Sequence, residues 1–259
     1  MLWYLANGSL NEYLKSQIQL QGQYYSKQST QLALADFSTN TGQGTFHEIT
    51  LANLKGYQVN YALIIDKASV ELASPDNTLP VKNTSPFKEN HVLVTTIKQL
   101  TINKLTLNSE HLNNTLDTEQ SAEQNNIANL IAQVKGRLAQ DYPELYPEIS
   151  AKLYAQKNPQ LDAEAYAKSH PQAGPIIEHK QAKKKRGKPQ AKIKIQSVTI
   201  NVVEINIINN DKTETIQLDN LQLAPIGSEQ GIIINQVGGE LLLALLNLSP
   251  NNNNTSSPL

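Results

Sequence analysis

Residues 193–223 read IKIQSVTINVVEINIINNDKTETIQLDNLQL, and the fold class turns on this stretch. Ile193, Ile195, Val198, Ile200, Val203, Ile205 and Ile207 recur at short, mostly alternate spacing up to a polar turn at Asn209, Asn210 and Asp211. β-Branched side chains at that spacing fit a half-buried pleated surface. Beyond the turn, residues 214–223 answer with Ile216, Leu218, Leu221 and Leu223, and Ile226-Gly227 ends the run. Strand following strand favours an antiparallel sheet over alternating strand–helix–strand units.

The same texture occupies the N-terminal half. Residues 31–38 alternate, which places Leu32, Leu34 and Asp36 on one side and Ala33, Ala35 and Phe37 on the other. The polar, glycine-containing stretch 39–44 reads as a turn, and residues 45–51 return with His47, Ile49 and Leu51 on one face. Together they predict a hairpin. The segment Asn53-Leu54-Lys55-Gly56-Tyr57 breaks the pattern. Tyr61, Leu63 and Ile65 then give way to Ala68, Val70 and Leu72, so the phase changes around Asp66 and Lys67. A bulge or tight turn is expected there. Pro75, Pro80 and Pro86 mark a loop over residues 73–90. Ile97, Leu100, Ile102, Leu105 and Leu107 supply two further extended pieces, and residues 109–124 read as a polar loop.

Three helices stand out. Ser9 and Glu12 have capping-box spacing ahead of Leu10, Tyr13, Leu14 and Ile18, with Gly22 as a stop, which predicts a helix over 10–21. Asn126 is placed as the cap of a helix whose face carries Ile127, Leu130, Ile131, Val134 and Leu138. The last helix is expected from Glu240, and shorter ones over 148–156 and 161–169. The fold class is therefore α+β: a mainly antiparallel, curved β-sheet with an N-terminal amphipathic helix, a helical insert and a C-terminal helix. The expected division is an N-terminal helix over 1–24, one β-rich domain from 25–120 and 190–248, the insert over 121–175, a basic linker over 176–189 and a disordered tail over 249–259.

Chemistry is sparse. The chain of 259 residues has a net charge of -1, which gives no whole-molecule attraction to nucleic acid, and no nucleic-acid partner is expected. With no cysteine, disulfides, thiolate metal sites and Cys nucleophiles are excluded. The five histidines, His47, His91, His111, His170 and His179, show no ligand spacing. Glu110-His111 and Glu178-His179 read as pairs in polar loops. Gly42-Gln43-Gly44 lies between two strands and reads as a hairpin turn rather than a phosphate cradle. No catalytic, cofactor or metal residues are nominated, and the chain is not expected to be an enzyme. Lys183, Lys184, Lys185 and Arg186 form a basic run that reads as a solvated linker or as a contact for lipid headgroups. No stretch reaches 18 apolar residues; Trp3-Tyr4 resembles the interfacial end of a membrane helix, which would place a span upstream of Met1, or else a short apolar start packs on the domain.

In this setting residues 10–107 resemble the N-terminal region of the AsmA-like proteins of the Gram-negative envelope. Asn53, Gly56 and Tyr57 match that family's Asn-Pro-x-Gly-Phe-like signature, with Leu54 in place of Pro. Asp66-Lys67-Ala68-Ser69 is similar to its hydrophobic-Asp-x-x-Ser/Ala strand, and Ile97-Lys98-Gln99-Leu100-Thr101-Ile102 to its short Ile/Leu repeats. Later features resemble the short members: Asn126 before a helix, a basic linker, a strand pair, the Ile226-Gly227 close and a final amphipathic helix. The resemblance implies a periplasmic protein tethered to the inner membrane, with an apolar sheet face that contacts acyl chains and a role in envelope lipid handling or outer-membrane homeostasis. Phospholipid and envelope proteins are the implied partners, and no cofactor is implied. About eight strands span only about 40 Å, too short to bridge two membranes. The alternative is an interaction module with a closed core and protein partners, docking through edge strands or the tyrosine-containing segment 142–166.

Overall fold

The computed structural model describes residues 2–73, 94–112, 124–157, 192–209, 212–227 and 231–250. The elements in chain order are α1 (Leu2–Ser26), β1 (Thr30–Ser38), β2 (Gln43–Ala52), β3 (Tyr61–Leu72), β4 (Val94–Leu112), β5 (Gln124–Asn125), α2 (Asn126–Asp141), α3 (Pro147–Lys157), β6 (Lys192–Ile195), β7 (Val198–Asn209), β8 (Lys212–Leu223), β9 (Ile232–Ile233) and α4 (Ile234–Leu246). They form an α+β fold on one open, curved sheet that is mostly antiparallel. β1 to β4 make an antiparallel meander. β4 then takes β6 and β7 alongside it in parallel, and β8 and β9 return antiparallel on β7 and β6. A parallel joint needs a long crossover, and the chain between β4 and β6 contains α2 and α3.

The inner face consists of four apolar rows running across six strands. One row is Leu32, Ile49, Ile65, Leu105, Val203 and Leu218; the next is Ala35, Phe46, Ala68, Ile102, Ile200 and Leu221. Leu51, Leu63, Leu107, Ile205 and Ile216 flank the first, and Gly44, Val70, Leu100, Val198 and Leu223 flank the second. Within every strand the step between the two central rows is three residues instead of two. Each strand therefore carries one extra residue at the same level, and two consecutive side chains there point outward. Those pairs include Ala33-Leu34, His47-Glu48, Asp66-Lys67 and Asp219-Asn220, and none of these residues is buried. Glu48 and Asn220 take the left-handed conformation at φ 54° and 53°. Because all six strands carry the extra residue at the same level, the register between neighbours is the same on both sides of it, and the shifts that mark bulges lie elsewhere, between Leu51 and Ala52 and between Glu71 and Leu72. The phase change at Asp66 and Lys67 is thus neither a turn nor a register-shifting bulge: β3 runs unbroken through it and keeps one register with β2 and β4. The extra residue also corrects two expected faces. Leu34 is 56% exposed while Leu32 is 1% exposed, and His47 falls on the opposite side from Ile49 and Leu51.

The helices cover one end of this face. α1 starts well before Leu10, so Ser9 lies inside it rather than at its start, and it runs past Gly22 to Ser26. Gly22 instead lies against Thr30, and the helix ends where Lys27 turns to φ 58° and its N–H reaches the Gln23 carbonyl at 2.9 Å. α4 begins at Ile234 rather than Glu240. Gly238 and Gly239 hide its start in the sequence because glycine is a weak helix former; both face α1, at Gln21 and Tyr25. Asn125, not Asn126, caps α2, accepting from the N–H groups of Ile127 and Ala128. Ile127, Leu130, Val134 and Leu138 are fully buried and belong to the same core as the strands. Burial of such a side chain contributes about 1.5–3 kcal/mol. Ser249, placed in the tail by composition, is also buried.

Tyrosines tie the helices together. Tyr25 is 1% exposed and donates to the Asn235 carbonyl at 2.7 Å; Tyr146 donates to Glu240 at 2.7 Å. Burial lifts both phenols well above their ordinary value, assisted for Tyr146 by the Glu240 carboxylate. The folded protein then holds protons that the unfolded chain releases near about pH 10. This contribution is complete below that pH and is lost as the pH rises beyond it. The urea midpoint is expected to fall between pH 8 and pH 10.5, and Tyr25→Phe to flatten that fall. An unchanged slope in the variant would show that the phenol is not held this way.

Candidate functional site

The apolar rows do not end where the helical cover ends. On β7, Val203 and Ile205 are 0% and 1% exposed, whereas their partners on β8, Leu218 and Ile216, are 40% and 38% exposed. Leu221 and Leu223 are partly buried against the core. The four side chains form an open apolar strip continuous with the core. The opposite face of the sheet is polar: Asn206 bridges Asn108 at 2.9 Å and Thr215 at 2.8 Å, and Lys104 pairs with Glu204 at 2.9 Å.

The signature residues lie at a second place, where β2 leaves the sheet. Asn53 donates to the Val59 carbonyl at 3.1 Å and accepts from the Leu54 N–H at 2.9 Å, which closes a loop on itself. Gly56 stands at its tip with φ +98°, a conformation a side chain would strain. Asn126 reaches this loop from α2: its amide donates to Asn53 Oδ1 at 2.9 Å and to the Asn108 carbonyl at 2.8 Å, and it accepts from the Glu110 N–H at 2.8 Å. Glu110 completes the joint by accepting from the N–H groups of Gln58 and Val59 at 2.6 and 3.1 Å. Ser109 and Glu110 are therefore not in a loop. They extend β4 and are buried, at 0% and 2% exposure. His111 follows on the same strand, with Nε2 3.1 Å from the Asn125 amide. Glu110 and Asn108 were missed in the sequence because nothing local separates a buried carboxylate with backbone donors from a solvated one.

The loop and α2 also border a cavity of about 570 Å³. Lys27, Lys55 and Arg137 line it together with Tyr57, Asn129 and Gln133, and among the described residues no acidic side chain lines it. Arg137 stacks 4.0 Å over the Tyr24 ring, and its Nε and the Gln133 Oε1 are buried without a hydrogen-bond partner among the described residues. Tyr24 in turn donates to Asp141 at 2.9 Å.

Ile226 and Gly227 stand apart from both places. Ile226 exchanges hydrogen bonds with Ile195 at 2.9 and 3.0 Å, and Gly227 turns the chain at φ +87° against the Ile193 carbonyl. The signature set thus serves the architecture of two separate turns. Lys183, Lys184, Lys185 and Arg186 lie outside the described residues, as do His91, His170, His179, the expected helix over 161–169 and the tail from residue 251. Among the described residues no group of His, Asp or Glu could hold a metal ion, and no helix is long and apolar enough to cross a membrane. No protein-family model, curated protein or solved structure matches this chain.

Proposed function

We propose that this chain is a non-enzymatic, AsmA-like protein of the periplasm that handles envelope lipid, with acyl chains lying along the strip formed by Ile216, Leu218, Leu221 and Leu223. The observation that carries this reading is the exposure of the apolar row on β8, which continues a fully buried face. Isolated exposed apolar residues are ordinary, whereas a contiguous strip marks a surface that meets something apolar. Two cationic regions are available for headgroups: the cavity lined by Lys27, Lys55 and Arg137, and the Lys183–Arg186 run of the sequence. Tethering to the inner membrane is part of the same proposal.

The test is phospholipid carried by protein purified from a Gram-negative host without detergent, measured by native mass spectrometry and total phosphorus after extraction. Roughly stoichiometric phospholipid is expected. The double variant Ile216→Asp/Leu218→Asp is expected to lose at least nine-tenths of it while melting within a few degrees of the parent, since exposed substitutions cost about 0.5 kcal/mol or less. Protein that is consistently lipid-free would overturn the reading and leave the interaction module with protein partners.

A further inference from the structure

The sheet has two long edges, and the fold treats them differently. The β1 edge is closed by α1. Asn11 accepts from the Phe37 N–H at 2.9 Å and Lys15 donates to the Ala33 carbonyl at 2.9 Å, which satisfies backbone groups that an added strand would use. Among the described residues nothing pairs with the outer edge of β8, whose 12 residues include no proline and are mostly exposed. Natural edges of this length are normally covered, shortened or charged.

The shared three-residue step restricts what can be added there. A strand whose extra residue is out of step with the Asp219-Asn220 pair would turn one half of its side chains to the wrong face. The added strand must therefore be apolar at i, i+2, i+5 and i+7. β8 satisfies its own requirement, with Ile216, Leu218, Leu221 and Leu223.

We infer that the chain forms a two-fold dimer in which β8 pairs antiparallel with β8 of a second copy, with the axis between Asp219 and Asn220. In that register Leu218 faces the partner's Leu221, and Ile216 the partner's Leu223. A two-fold axis normal to a regular ladder cannot fall between neighbouring residues, because successive side chains point to opposite faces. Here it can, since Asp219 and Asn220 both point outward. On the polar face Gln217 meets the partner's Gln222, and Asp219 meets the partner's Asn220 instead of another carboxylate. A shift that sets Asp219 against its own mate would oppose like charges and set the three-residue steps out of line. The dimer gives backbone partners to both open edges and joins two apolar faces into one. It does not depend on whether that face takes lipid.

Because the chain has no cysteine, introduced thiols report the register directly. Directly opposed Cα atoms in an antiparallel pair lie about 4.5–5.5 Å apart, within disulfide range. The double variant Gln217→Cys/Gln222→Cys is expected to give a covalent dimer on mild oxidation, and each single variant only background. The parent chain is expected to show dimer mass by light scattering at about 100 µM, and Leu218→Lys to raise the dissociation constant at least tenfold with an unchanged circular dichroism spectrum. A parent that stays monomeric at that concentration, or Gln217→Cys alone cross-linking as well as the double variant, would overturn the inference.

Discussion

Asn126→Ala is expected to destabilise the protein by about 3–5 kcal/mol, more than its size implies. The side chain is fully buried and serves four other groups: the Glu110 and Ile127 N–H groups, the Asn108 carbonyl and Asn53 Oδ1. Each buried group left without a partner costs about 1–3 kcal/mol, and a methyl group cannot fill the space that an amide vacates. The loss also loosens the signature loop, which α2 holds through Asn53 and through the Asn129 amide, which donates to the Tyr57 hydroxyl at 3.2 Å. Asn125→Ala removes the cap of the same helix and is expected to cost only about 1–2 kcal/mol. Urea unfolding followed by circular dichroism separates the two. If both variants lose about 1 kcal/mol, Asn126 is only an ordinary helix-start residue and the joint between loop, β4 and α2 carries no special weight.

Gly239→Val is expected to be the most damaging change in α4, at about 3 kcal/mol or more. A Cβ at this position would lie 2.8 Å from Leu138 Cδ2 and 2.9 Å from the Tyr25 ring. Neither neighbour can give way easily: Leu138 is fully buried, and Tyr25 is pinned by its bond to the Asn235 carbonyl. Overpacking a tight contact typically costs about 1–3 kcal/mol, and the full valine side chain would drive α4 away from both α1 and α2. The counterpart is Gly136, also inside a helix, where a Cβ would meet nothing within 4 Å. Gly136→Ala is expected to stabilise by up to about 1 kcal/mol, the ordinary gain from removing a helix glycine. Thermal melts of the two variants should therefore shift in opposite directions. A shared direction would mean that the α1–α2–α4 packing is looser than these distances require.

Both residues show where local reading stops. Glycine at 238 and 239 weakens the helix signal, so periodicity alone delays α4 to Glu240. The reason for the glycines is a neighbouring helix more than 200 positions away in the chain. Asn126 was legible as a helix-start residue, yet its amide is used to hold Asn53 and Asn108, and the capping falls to Asn125. Glu110, at the heart of the joint, looked like part of a polar loop because its partners are backbone N–H groups 51 and 52 residues away.

The sequence by itself determined what depends on neighbours along the chain. Alternation of Ile, Val and Leu specified the strands around residues 31–51, 61–72, 97–107 and 193–223. The 3.6-residue period specified the buried face of α2, and the phase change at Asp66 and Lys67 marked the level where two side chains in a row face outward. The tertiary structure alone decided what depends on register between distant segments. It set β7 parallel to β4, placed the six three-residue steps at one level, closed the β1 edge with α1 and, among the described residues, left the outer side of β8 unpaired. Periodicity tells which side chains share a face within a strand; which strand lies beside it, and at what offset, is fixed only when all rows are packed together.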